Sequence, residues 1–117
     1  MREQLMIQTD RVYQIQRTAQ GVVCTVNGRP LPLRLDLWNH SPTGFEFGYG
    51  GSGPAQLALA ILADCCGDEL AIVFHQAFKR EVIARIPGPG GSLTGTFVRD
   101  VLARLQREKE SQQYRNN

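Results

Sequence analysis

Cysteine is scarce and odd in number in this sequence: Cys24, Cys65 and Cys66, the last two adjacent. Adjacent cysteines rarely bridge each other, and the set lacks metal-ligand spacing. Neither a disulfide framework nor a zinc cluster is expected, and an odd count suits a reducing compartment, the cytoplasm. An excess of one charge is also lacking. Thirteen Lys and Arg face eleven Asp and Glu, a formal net charge of +2. That balance disfavours a dedicated nucleic-acid binder, which carries a clear basic stripe, short of excluding a patch assembled in three dimensions. No apolar run approaches the length needed to cross a bilayer. Met1 to Met6 show neither the long apolar stretch nor the small-residue cleavage site of a secretory signal.

What is present reads as one globular domain. The chain has 117 residues, 42% of them hydrophobic, enough to bury a core without staples. The pattern predicts an α+β fold: a four- or five-stranded, mainly antiparallel sheet with three helices on one face, in the order ββββααβα. Residues 1–10 form an extension, 11–105 the domain, and 106–117 a polar tail expected to be disordered.

The first strand falls within Arg11 to Arg17. The second, Val22 to Val26, ends at Asn27-Gly28, the strongest short hairpin signal because both residues tolerate positive φ. Leu31, Leu33, Leu35 and Leu37 alternate with Pro32, Arg34 and Asp36 as a third strand, near an edge because of its prolines. Gly44 to Tyr49 alternates again as a fourth. Pro54 to Cys66 is rich in Ala and Leu and, apart from Gln56 and Asp64, apolar on all sides, so it should be the central buried helix. Ser52 or Gly53 is placed to cap it, and Gly67 to close it. A second helix runs from Asp68 to about Arg80, and Val82 to Ile86 read as a fifth strand or the tail of that helix, with the strand favoured by their alternation. Pro87 to Ser92 read as a loop. Thr94 caps a last amphipathic helix with Phe97 or Val98, Val101, Leu102 and Leu105 inward.

Chemistry is concentrated between His40 and Gln56. A strand enters Gly48-Tyr49-Gly50-Gly51-Ser52-Gly53, four glycines in six residues, and then a helix begins. Free N–H groups and the macrodipole at a helix start suit a phosphate or carboxylate, and the Ser52 hydroxyl adds a donor. The spacing is neither a Walker loop nor a dinucleotide fingerprint, and Pro54 removes one N–H. The alternative is that the glycines serve only a tight strand-to-helix turn. His40 and Ser41 suggest nucleophilic catalysis, but no orienting carboxylate is identifiable, and Gly50-Gly51-Ser52-Gly53-Pro54 does not match the G-x-S-x-G elbow. His75 is expected half-exposed on the second helix. Cys65 and Cys66 read as small core residues, reactive only beside positive charge. Lys79 is either a solvated helix-end cation or a charge lent to a pocket at the glycine-rich turn.

The run from His40 to Leu62, HSPTGFEFGYGGSGPAQLALAIL, resembles the signature of domain-of-unknown-function family 6166, small proteins spread through bacteria, archaea, phages and mobile elements. Phe78-Lys79 and the terminal helix are also similar, so the resemblance spans roughly residues 11 to 105. A Trp is common in that pattern where Phe47 stands and another near Ser92-Leu93, and both are missing here. The family carries no assigned activity. The resemblance implies a context, in which small proteins of mobile DNA modulate host systems.

The expectation is therefore a non-enzymatic binding protein, without cofactor or metal, that engages a host or phage protein as a modulator or inhibitor of a host defence system. The alternative is a nucleotide or other anion held at residues 48–56, with Tyr49 or Trp38 stacking on a base. The candidate ligand- or partner-binding residues are His40, Ser41, Glu46, Tyr49, Gly50, Gly51, Ser52, Gly53, Gln56 and Lys79. An enzymatic reading, His40 acting with Ser52 or Glu46, has the least support.

Overall fold

The computed structural model describes residues 10–116. The extension expected over residues 1–10 lies outside them except for Asp10. Four antiparallel strands form one sheet in the order β3-β2-β1-β4: β1 Val12–Thr18, β2 Gly21–Val26, β3 Arg29–Pro30 and β4 Gly90–Thr94. Three helices complete the fold, α1 Ser52–Cys66, α2 Asp68–Glu81 and α3 Gly95–Asn116. The α+β class with a four-stranded antiparallel sheet and three helices is as the sequence predicts.

The β2–β3 hairpin closes through Asn27 (φ 49°) and Gly28 (φ 85°), the double positive φ of a type I′ turn. Along β1 the side chains alternate: Tyr13 and Ile15 are buried, Gln14 and Gln16 exposed. The helices therefore cover one face of the sheet. α1 is the centre of the core, buried continuously from Gly53 to Ala63, and Gly67 ends it by donating its N–H to Ala63. α2 follows after that single residue. In α3 the inward positions are Val98, Val101, Leu102 and Leu105, whereas Phe97 is 43% exposed. Thr94 caps this helix through Oγ1, which accepts from the Phe97 N–H at 3.1 Å.

Several local assignments differ from the sequence reading. The leucine alternation of 31–37 is not a strand. Leu31 donates its N–H to Cys24, and beyond it Pro32 has no donor to offer the ladder. Arg34 then takes a positive φ of 59°, stabilised by ion pairs to Asp36 and Asp68 at 3.0 Å each. Gly44 to Tyr49 contributes one bridge, Phe45 to Val22. Its alternation is nonetheless real, since Phe45 and Phe47 are buried. Arg17 holds the segment by pairing with Glu46 at 3.0 Å and covering the Phe47 ring at 4.5 Å.

Val82 to Ile86 is not a strand either. Val82 still donates to Phe78, and Ile83–Arg85 close a 3₁₀ turn. The expected loop instead supplies β4. At Gly90 a Cβ would stand 2.1 Å from the Ile15 carbonyl oxygen, so only glycine lets this strand approach β1. From Gln106 onward, where the sequence suggests a tail leaving the fold, the chain is helical through Asn116, with side chains 107–115 exposed.

Candidate functional site

The centre of the site is the buried polar residue of an otherwise apolar helix. Gln56 has no exposed surface, so each of its polar atoms needs a partner. Its Oε1 accepts from the N–H groups of His40 and Ser41 at 2.8 and 2.9 Å. Its Nε2 donates to the carbonyls of Leu33 and Trp38 at 2.7 and 3.0 Å. One side chain thus anchors the irregular 31–44 segment at four points. Ser41 adds a fifth by donating its hydroxyl to the Gly44 carbonyl at 2.7 Å.

That anchoring lays Trp38 and His40 over α2. The Trp38 and His40 rings stack at 5.1 Å with only 12° between planes, and Trp38 lies 5.3 Å from the His75 ring. His40 Nε2 stands 2.9 Å from His75 Nε2. His75 is 1% exposed, not half-exposed as the sequence suggests. Its position follows from helical spacing, because Ala71, Phe74, His75 and Phe78 form the buried stripe of α2. Burial is tolerated because both ring nitrogens are satisfied. His75 Nδ1 faces the carbonyls of Ala71 and Ile72 at 2.9 and 3.0 Å. Carbonyls only accept, so Nδ1 carries the proton, Nε2 is an acceptor, and His40 Nε2–H is the donor between the rings. Burial lowers the His40 pKa, and the electrostatic influence of the neighbouring His75 and Lys79 lowers it further. The lowered pKa favours the neutral form of the His40 ring.

Trp38 is 47% exposed above this buried pair. The cluster presents an aromatic surface above two hydrogen-bonded imidazoles. The Ser41 hydroxyl is committed to a backbone carbonyl, Glu46 to Arg17, and no hydrogen bond among the described residues joins Ser52 or Glu46 to His40. Among the described residues no group of three His, Cys, Asp or Glu side chains converges as a metal site, so the two imidazoles lack a third protein ligand.

The other candidates collect at the start of α1. Gly51 is the N-cap, with no side-chain cap, and the helix begins at Ser52. A Cβ on Gly53 would meet the Glu46 Cβ at 2.6 Å, and one on Gly51 would meet the Tyr49 ring at 2.6 Å, while Gly50 faces open space. Close packing thus accounts for Gly53, whereas the neighbour of Gly51 is an exposed ring that can turn aside. Ser52 and Tyr49 are exposed, whereas Gly53, Pro54 and Ala55 of the first turn are buried. The structure therefore divides the candidates. His40, Ser41, Gln56 and Lys79 surround Trp38 and His75, while Glu46, Tyr49 and Gly50 to Gly53 form the turn.

At the opposite end of α1 the sequence missed a second polar cluster. Tyr13 donates its hydroxyl to Asp64 at 2.7 Å, and burial first, then that carboxylate, pushes its pKa up. Arg99 places Nη1 3.9 Å from the Cys65 sulfur, the positive neighbour that the sequence did not reveal. A hydrogen bond from Cys66, with help from Tyr13 and Arg99, lowers the Cys65 pKa. Cys24 is buried, and burial raises its thiol to about 12.

The model of a family of unknown function, DUF6166, matches residues 13–104. The chain belongs to this family. The DUF6166 span contains the Trp38–His40–His75 cluster, Gln56, the glycine-rich turn and the Cys65–Arg99 contact, and ends within α3. No curated protein and no solved structure matches the chain.

Proposed function

We propose that this chain is a non-enzymatic protein-binding module whose anchor is Trp38. The observation that carries the reading is a ring half in solvent yet immobilised from below. Trp38 rests on the His40–His75 pair, on a segment tied down by Gln56. Exposed tryptophans are over-represented among residues that dominate interface energies, and a preset geometry lowers the entropic cost of association. Leu35, 36% exposed on the same segment, and Ile72, 39% exposed on α2, add apolar surface. The partner class we propose is a component of a host defence system in the cytoplasm, the context implied by the family resemblance. Protein binding is favoured over anion binding at residues 48–56 because close packing already explains Gly53 and the first turn of α1 is buried from Gly53 to Ala55.

The test uses the chain expressed in its own host and isolated gently, with its native mass compared with its denatured mass. A stable protein complex is expected, lost in Trp38→Ala while the thermal midpoint is kept. Trp38 is the only tryptophan, so its emission should shift when the purified partner is added. A complex indifferent to Trp38→Ala overturns the reading. A bare chain with an added nucleotide-sized mass, lost in Gly51→Val, replaces it with the ligand reading.

A further inference from the structure

The sheet ends at β4, and among the described residues no strand pairs with its outer edge. The ladder to β1 pairs Tyr13 with Leu93 and Ile15 with Gly91. It is flanked by the bonds Gly95 N–H to Arg11 and Arg17 N–H to Pro89. These end bonds set the alternation of an antiparallel pair: Leu93 and Gly91 bond inward to β1, while Gly90, Ser92 and Thr94 turn their backbone groups outward. Both the N–H and the C=O of Ser92 are thus presented at the edge, flanked by the Gly90 carbonyl and the Thr94 N–H.

A groove of ≈ 270 Å³ runs beside this edge, between β4 and the segment after α2. Val82, Ile86, Pro87, Leu93 and the exposed Phe97 make it apolar, and none of its lining residues comes from β1, so it opens on the unpaired side. Arg85 also lines it and makes no ion pair among the described residues. The acid of the same groove, Glu81, is paired with Arg104 and lies within electrostatic reach of Arg85 and Arg80, so cations outnumber it at this end.

We propose that this edge and groove bind an extended, acidic peptide segment of a partner protein as an added strand. Its backbone pairs with Ser92, one apolar side chain fills the groove, and a carboxylate meets Arg85. Strand addition draws affinity from main-chain bonds and specificity from a pocket beside the edge, and unpaired edges left open are templates for it. The groove shares no residue with the Trp38 surface, so the inference does not depend on the function proposed above.

The test is selection of displayed random peptides on the full chain, followed by fluorescence anisotropy of the enriched sequences. Enriched peptides are expected to carry an apolar residue near Asp or Glu. Ser92→Pro removes an outward N–H and leaves the β1–β4 ladder bonds in place, so binding should weaken about tenfold with the fold intact. Arg85→Glu should weaken it further, whereas Trp38→Ala should leave it unchanged. If Ser92→Pro disturbs folding, N-methylation of the peptide takes its place, and every second position only should be sensitive. No enrichment, full binding to a folded Ser92→Pro, or equal tolerance of N-methylation at both sets of positions overturns the proposal.

Discussion

The Nε2 atoms of His40 and His75 lie 2.9 Å apart, and His75 donates its Nδ1–H to the carbonyls of Ala71 and Ile72, the tautomer that lets its Nε2 accept from His40. This arrangement builds the floor under Trp38 from two hydrogen-bonded imidazoles, and the lowered pKa of His40 makes it dependent on pH.

The His40 pKa is lowered from 6.5 by burial, then by His75 and Lys79, so the folded state favours the neutral ring more than the unfolded chain does. A depressed folded value contributes stability that is present above 6.5 and lost as pH falls through the lowered value. Urea midpoints should therefore decline on acidification below neutrality, and His40→Gln should flatten that decline. An unchanged slope in His40→Gln would place the acid sensitivity elsewhere.

Gln56→Leu fits the apolar surroundings of α1 but strands the N–H groups of His40 and Ser41 and the carbonyls of Leu33 and Trp38. Each orphaned buried group costs about 1–3 kcal/mol, and a total loss of about 3 kcal/mol or more is expected in denaturant titrations. Hydrogen exchange at the His40 and Ser41 amides should accelerate even under conditions where the chain stays folded. A cost below about 1 kcal/mol would show that the segment is held by something else.

The glycines of the turn should respond unequally. Gly53→Ala drives a Cβ into the base of Glu46 at 2.6 Å, an overpacking worth about 1–3 kcal/mol. Gly50→Ala meets open space and should be neutral or stabilising by up to about 1 kcal/mol, through the unfolded chain. Thermal melts of the two variants side by side decide between packing and ligand contact as the reason for these glycines. Equal effects would argue against packing.

Alkylation should discriminate among the three thiols. Cys65, with a pKa lowered by its hydrogen bond from Cys66 and by its contacts with Tyr13 and Arg99, is expected to react first with iodoacetamide at neutral pH. Cys24, buried with its pKa raised to about 12, should stay intact until unfolding. Arg99→Gln should slow labelling of Cys65, as read by peptide mass mapping. Equal labelling rates at Cys24 and Cys65 in the folded chain would refute the assignment.

Elements whose partners lie close along the chain were legible in advance. Asn27-Gly28 marks its hairpin because only those backbone angles close it, and the apolar run of α1 admits no environment but the core. Thr94 and Gly67 mark helix ends through local hydrogen bonds. Leu31 to Leu37 misled because alternation records which side chains go inward, not whether the backbone finds a strand to pair with. The same holds for Phe45 and Phe47, buried as their spacing suggests but held by a single bridge from Phe45 to Val22 and by Arg17 over Phe47 rather than by a ladder. β4 was invisible as a strand, since Gly90-Gly91-Ser92 carries turn residues, and its value lies in what glycine omits: the Cβ that would strike Ile15.

The site divides along the same line. By itself the sequence determined that Gln56 sits in a buried helix, that His40 and Ser41 lie in a loop before it, and that Phe74 and Phe78 face inward from α2, whereas it misplaced His75 as half-exposed. Residue types and helical period are enough for that. Only the tertiary structure decided that Gln56 reaches that loop, that His40 meets His75 across 35 positions of chain, and that Arg99 stands beside Cys65. These contacts depend on how two elements cross in space, and no local propensity or spacing encodes the distance between side chains that only packing brings together.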